Sequence, residues 1–246
     1  MKHGERNDGR VNIALIIAGG SGARMNQDIP KQFLNVYDKP VIVYTMEAFQ
    51  RHDEIDSICV VCLDGWHEML KAYARQFGIT KLDIVVSGGK NGQASIRNGI
   101  EAIAKCFDGD DLVLVHDAIR PMISSKIISE NIEVCRKYGN AVTVIPCQEA
   151  MVESFDKISS HNSIPRDILF RTQTPQTFKL RDMIDLHREA DEKNITNSIA
   201  SCTLMAELGH EIYFASGSEK NIKLTTTDDL EIFKALLKSK NESWIK

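Results

Sequence analysis

The 246-residue sequence predicts an α/β protein built on a mostly parallel, doubly wound sheet. Three observations carry that prediction. Short apolar runs of strand length alternate with segments whose apolar residues recur at helical spacing. The runs are apolar on both sides, as strands covered on two faces must be. The first run empties into a glycine-rich loop followed by cations, the arrangement that places ligands at the carboxyl ends of parallel strands.

Taken in order, the candidate strands are Asn12–Ile17, Ser57–Leu63, Leu82–Val86, Leu112–His116 and Ala141–Pro146. Between them Val41–Arg51, Trp66–Phe77, Ala94–Cys106 and Lys126–Tyr138 carry the helical pattern. The alternation breaks at about 148–165. Met151 to Phe155 alternates apolar with polar, then Asp156 to Ser163 is polar and turn-rich, which predicts a projecting hairpin. Apolar residues on such an arm need a cover, and a second copy of the chain is the simplest one. Helical spacing returns at Leu180–Glu192 and Ser198–Leu208. A strand is expected at His210–Ala215, then Asn221–Thr226 with Lys223 in strand-like alternation. A last helix follows from about Thr227, with Asp228 and Asp229 in its first turn. Residues 1–11 are polar, lack the apolar core of a signal peptide and are expected to fray; residues 12–246 are expected to form one domain.

Composition narrows the function classes. An apolar share of 43% supplies an ordinary core, and a net charge of -4 argues against a general nucleic-acid or membrane-surface binder. An anionic ligand must therefore be held by local cations. No stretch reaches the roughly 18 apolar residues of a membrane span. Of six cysteines, only Cys59 and Cys62 form a C-x-x-C pair, and it lies inside an apolar strand with no second pair to complete a metal site. Reduced, core-packed thiols fit the cytoplasm.

Chemistry concentrates in loops after the strands. Gly19, Gly20 and Gly22 let the backbone turn and present N–H groups to an anion, and Arg24 and Lys31 add fixed charge, which suits a polyphosphate. A Walker loop is excluded because no Lys-Ser or Lys-Thr follows the glycines. A dinucleotide fingerprint is incomplete because Met25 stands where its third glycine belongs. A second glycine-rich loop, Ser87 to Ser95, leads into a helix and could hold phosphate or read a base edge. Asp117, at the end of an apolar strand, is a natural Mg²⁺ ligand near a polyphosphate. Arg120 could fork onto a phosphate, or simply pair with Asp117. The segment around Thr174-Pro-Gln176 reads as an extended turn that holds Thr174 outward. Arg166 reads as a surface charge, and Lys223 as facing either a cleft or solvent.

Five motifs occur in order: Ala18-Gly-Gly-x-Gly-x-Arg-Met25, Pro30-Lys-Gln32, His116-Asp-Ala-x-Arg-Pro121, Gln173-Thr-Pro-Gln176 and Asn221-Ile-Lys-x-Thr225. Together they resemble the cytidylyltransferases that make CDP-activated polyols. That family includes the enzymes acting on 2-C-methyl-D-erythritol 4-phosphate and on ribitol 5-phosphate. The resemblance spans about Asn12 to the last helix. It implies a Rossmann-like nucleotidyltransferase sheet and CMP transfer from CTP to a polyol phosphate with release of pyrophosphate. It further implies Mg²⁺ and a homodimer joined through the 148–165 arm. It gives Arg24, Lys31 and Lys223 catalytic roles and lines the nucleotide with Ala18, Gly19, Gly20, Gly22, Gly89 and Ser95. It puts Asp117, Arg120, Arg166, Thr174 and Thr196 around the acceptor, with Asp117 on the metal and Arg166 and Thr174 supplied by the neighbouring subunit. Two positions depart from the pattern: Gly92 stands where an arginine is usual, and Asn197 replaces an aspartate after Thr196. Ala18-Gly-Gly20 and Ile164-Pro-Arg-Asp167 are nearer the ribitol branch. Another polyol phosphate, another sugar phosphate, or CTP binding without catalysis stay open on the residues alone.

Overall fold

The structure is a computed structural model that describes residues 9–20 and 29–241. Gly22, Arg24 and most of the polar N-terminal stretch lie outside the described residues. Along the chain come β1 (Asn12–Ala18), the short strands β2 (Asn35–Val36) and β3 (Lys39–Pro40), α1 (Val41–Gln50), β4 (Ser57–Cys62) and α2 (His67–Gln76). Then follow β5 (Leu82–Ser87), α3 (Gly92–Ile103), β6 (Leu112–Asp117), α4 (Ser125–Tyr138) and β7 (Asn140–Pro146). An antiparallel pair, β8 (Met151–Glu153) with β9 (Asn162–Ile164), forms the arm. The chain continues through β10 (Phe170–Lys179), α5 (Leu180–Glu192), α6 (Ser201–Glu207), β11 (Phe214–Ser216) and α7 (Thr227–Asn241).

Seven strands make one sheet in the order β11-β7-β10-β6-β1-β4-β5. All pairings are parallel except those of β10, which runs antiparallel to both β6 and β7. Alternate strand residues feed two cores. Ala14, Ile16, Val60 and Leu114 pack under α1, α2 and α4, while Ile13, Leu15, Val61 and Val113 pack under α3, α5 and α6. Cys59 and Cys62, three apart on β4, therefore fall on opposite faces and cannot reach each other. Burial pushes the Cys59 thiol up to about 12 and the Cys62 thiol to about 11, so both are inert core residues.

Several expectations need correction. The segment expected as an extended turn around Thr174 is the ten-residue strand β10, whose register against β7 shifts between Thr172 and Gln176. It escapes a hydrophobic reading because its buried residues include Gln173, Gln176 and Thr177. Lys223 is not on a strand, since residues 221–226 form a loop. The expected strand at His210–Ala215 shrinks to Phe214–Ser216, and the helix expected from Ser198 starts at Ser201. α3 begins at Gly92 rather than Ala94 because the Asn91 side chain caps it by accepting from the Ala94 N–H at 2.9 Å.

Candidate active site

Because β1, β4, β5 and β6 are parallel, Ala18, Cys62, Ser87 and Asp117 end on one rim of the sheet. A hollow of about 780 Å³ opens there, lined by Ala18, Gly19, Gly20, Lys31, Gly89 and Ser95 among others. Beside it lies a hollow of about 360 Å³ bounded by His116, Arg120, Thr174 and Ser201. The two share Ile17, Gly92, Asp117 and Lys223 as a common wall. A cavity of about 350 Å³ elsewhere is lined by Asp182, Asp185, Glu189 and Glu211, which would repel an anion.

The larger hollow is shaped by close backbone approaches. Gly19 and Gly88 come so near that a β-carbon on either would sit 3.2 Å from the other's Cα. A β-carbon on Gly89 would lie 2.5 Å from the Ala94 Cβ and 2.7 Å from its carbonyl carbon, so only glycine fits there. Gln32, buried, donates from Nε2 to the carbonyls of Ala18 at 2.8 Å and Gly20 at 2.9 Å, tying the Lys31–Phe33 turn to the end of β1. The Pro30-Lys-Gln32 motif marks this glutamine, but its tie to β1 depends on burial that spacing does not reveal. Ser95 serves the loop itself: its hydroxyl donates to the Asn91 carbonyl and accepts from the Gly89 N–H at 3.0 Å. A β-carbon on Gly92 would have no heavy atom within 4 Å, so the position where an arginine is usual faces open space at the junction of the hollows.

Asp117 sits at that junction. Its Oδ1 holds the Lys223 ammonium at 3.1 Å and its Oδ2 the Arg120 guanidinium at 3.0 Å. The Asp117–Arg120 ion pair considered as the alternative to phosphate binding is thus present. Burial pushes the Asp117 carboxyl up, but Lys223 and then Arg120 outweigh it and hold it below the usual carboxylate range. Arg120 also donates from Nη1 to the Asn221 carbonyl at 2.7 Å, which fixes the loop that carries Lys223.

His116 is fully buried, and burial pushes its imidazole down to about 4, so it is neutral at neutral pH. Nε2 lies 3.1 Å from the Arg120 carbonyl, which can only accept, so Nε2 carries the proton. Nδ1 is then the acceptor for the Thr174 hydroxyl at 3.0 Å, and Thr174 Oγ1 in turn accepts from the Asp117 N–H at 3.1 Å. Thr174 spends its only proton inward and can offer the smaller hollow nothing but a lone pair. Thr174 therefore points into this chain's own pocket, contrary to the outward placement expected for it.

The remaining expected residues are not brought together. Arg166 lies on an exposed turn after β9, donating to the Gln148 carbonyl at 3.3 Å, and lines neither hollow. Thr196 is exposed and contributes only its carbonyl, to Asn91 Nδ2 at 2.8 Å. The wall facing the smaller hollow is instead Ile199, Ala200 and Ser201. Among the described residues no three His, Cys, Asp or Glu side chains converge on a metal position. Asp117, the one carboxylate among the residues lining the two hollows, suits a Mg²⁺ ion that arrives on a triphosphate, because Mg²⁺ is commonly held by one or two carboxylates plus substrate phosphates, and it would share its oxygens with Lys223 and Arg120.

The profile of the family described as IspD, 2-C-methyl-D-erythritol 4-phosphate cytidylyltransferase, matches residues 12–239. The chain belongs to this family. A ribitol-5-phosphate cytidylyltransferase of Lacticaseibacillus paracasei is 45% identical over 92% of this chain and 98% of its own length. A 2-C-methyl-D-erythritol 4-phosphate cytidylyltransferase of Clostridium botulinum is 34% identical over 92% and 97%. The fold matches the crystal structure of a 4-diphosphocytidyl-2C-methyl-D-erythritol synthase from Anaerococcus prevotii, with TM-score 0.78 at 24% identity, covering 94% of this chain and all of that one.

Proposed function

We propose that this chain transfers CMP from CTP to a polyol phosphate, with ribitol 5-phosphate as the acceptor, and releases pyrophosphate. The observation that carries the reading is Lys31, Asp117 and Lys223 lining one hollow that adjoins a second, smaller one. Two relatives bearing the ribitol name, at 45% and 41% identity, stand above those named for methylerythritol phosphate at 34–35%, which supports ribitol 5-phosphate over its branched counterpart.

In this reading the larger hollow receives the nucleotide and the smaller one the acceptor. A phosphomonoester is close to a dianion at neutral pH, because its second pKa is about 6, so it needs no general base. One of its oxygens forms the new bond to the α-phosphorus. The bond from that phosphorus to the bridging oxygen breaks, and its electron pair leaves with pyrophosphate. The barrier is the approach of two anions, so alignment and charge neutralisation must supply the catalysis. Lys31 offsets charge on the triphosphate and the departing pyrophosphate. Lys223 neutralises the crowded α-phosphorus, and Arg24 is assigned to the triphosphate on its motif alone. Mg²⁺, with Asp117 as its protein ligand, would supply further phosphate charge neutralisation when bound.

A second copy of the chain would cover the arm, where Val152, Phe155, Ile158 and Ile168 are exposed, and would bring its Arg166 toward an acceptor phosphate. The six free cysteines support a cytoplasmic location. The reading is tested by pyrophosphate release with each of four nucleoside triphosphates against ribitol 5-phosphate, methylerythritol phosphate and hexose phosphates. CTP with ribitol 5-phosphate is expected to stand out. Preference for methylerythritol phosphate would reassign the acceptor, and CTP binding without turnover on any acceptor would leave a binding protein.

A further inference from the structure

We infer that Ser201 is a recognition residue of the smaller hollow, binding a hydroxyl group of the polyol acceptor. The inference rests on the reading of that hollow as the acceptor site. Ser201 is 3% exposed and lines the hollow, yet its hydroxyl has no hydrogen-bond partner among the described residues. Buried hydroxyls are seldom left unpaired, and those that are stand out as groups awaiting a ligand. The neighbours on its wall, Ile199 and Ala200, have no side-chain polar atom, so Ser201 Oγ is the wall's single polar side-chain contact.

Its position is fixed from behind. Gln176, buried on β10, accepts from the Cys202 N–H at 2.9 Å through Oε1 and donates to Cys202 Sγ at 3.1 Å through Nε2. Those two bonds hold the residue next to Ser201 against the sheet, which fixes the backbone position of Ser201 on the wall. Its capacity also complements that of Thr174. The Thr174 hydroxyl is committed as a donor to His116 and can only accept from a ligand, whereas Ser201 retains one proton and two lone pairs. A polyol hydroxyl, itself donor and acceptor, is a chemical class that matches both. A site that hydrogen-bonds a substrate hydroxyl discriminates against the analogue lacking it far better than an apolar wall can.

The test is the acceptor dependence of pyrophosphate release by full-length wild type and Ser201→Ala, with ribitol 5-phosphate and its monodeoxy analogues. Ser201→Ala is expected to lower kcat/KM for ribitol 5-phosphate roughly tenfold, the scale of one hydrogen bond, while the KM for CTP stays within twofold. One monodeoxy analogue should be handled equally by the two proteins, because the lost hydroxyl and the lost serine are the same contact. The thermal midpoint should be unchanged or raised, since no protein bond is removed. Equal kcat/KM on ribitol 5-phosphate, a matching rise in the KM for CTP, or additive losses with every analogue would overturn the assignment. Should the variant fold poorly, the wild type alone decides: uniform tolerance of all monodeoxy analogues contradicts a hydroxyl-reading wall. Wild type inactive with every polyol phosphate would bring down the acceptor-site reading itself, a distinct result.

Discussion

Asp117 and its neighbours show how one residue type becomes useful only through its surroundings. A carboxylate between Lys223 and Arg120 remains ionised, and the same two cations are thereby held at the junction of the hollows. His116 behind them acts by position, orienting Thr174 without gaining charge. Two predictions belong here. Lys31→Ala should retain its fold but lose about a hundred- to thousandfold in turnover, by analogy with the loss of other preorganised charge-stabilising donors; near wild-type pyrophosphate release would remove its role. The second concerns pH. His116 has a folded pKa of about 4, against about 6.5 in an unfolded chain, so the unfolded state binds the extra proton between those values. Stability is therefore complete above about pH 6.5 and falls as pH drops toward 4, by on the order of 3 kcal/mol from this residue. His187, also buried and pushed down to about 4, acts in the same direction. Urea unfolding at pH 7, 5.5 and 4.5 measures it, and equal midpoints would show that neither ring is held neutral.

At the scale of elements, two glycine loops line the larger hollow and the β8/β9 arm presents exposed apolar residues. Gly89→Ala forces a β-carbon into the backbone of Ala94, and is expected to cost about 1–3 kcal/mol and to raise the KM for CTP. Gly92→Ala, three residues on, meets open space at a helix start and should be neutral or slightly stabilising. Denaturant midpoints of the two variants separate a required glycine from a permitted one; equal effects would mean that the loop adjusts freely. On the arm, Phe155→Asp with Ile158→Asp should leave the fold intact, convert a dimer into monomers in sedimentation velocity, and reduce acceptor turnover. No change in either would show that the arm is not the subunit contact. These elements were legible in different degrees. The parallel strands declared themselves as apolar runs, and the arm as a loss of that pattern. β10 did not, because its buried polar side chains are satisfied across strands and helix. Thr143 donates to the Pro175 carbonyl at 2.6 Å, and Asn131 bridges Thr143 and Thr177. Such pairing is long-range and leaves no periodic trace in sequence.

For the whole molecule, the strand order explains why residues from Ala18 to Lys223 meet. β1 lies between β6 and β4, so the loops after β1, β5 and β6 converge, and antiparallel β10 brings Thr174 back to the end of β6. The sequence motifs named Lys31, Asp117, Arg120, Thr174 and Lys223, and the fold gathers all five around the two hollows. Thr196 lines neither hollow, Arg166 is expected there only from a second copy, and Ser201 and the buried Gln32 gain positions that depend on burial and hydrogen bonding that spacing cannot reveal. The proposed division of labour gives the nucleotide to the larger hollow and the acceptor to the smaller. Steady-state kinetics with both substrates varied, on Lys31→Ala and on the near-isosteric Thr174→Val, tests it most directly. Thr174→Val is expected to raise the KM for ribitol 5-phosphate and to leave that for CTP unchanged, while Lys31→Ala is expected to impair turnover and the use of CTP. If both substitutions act on the same substrate's KM, the division is contradicted.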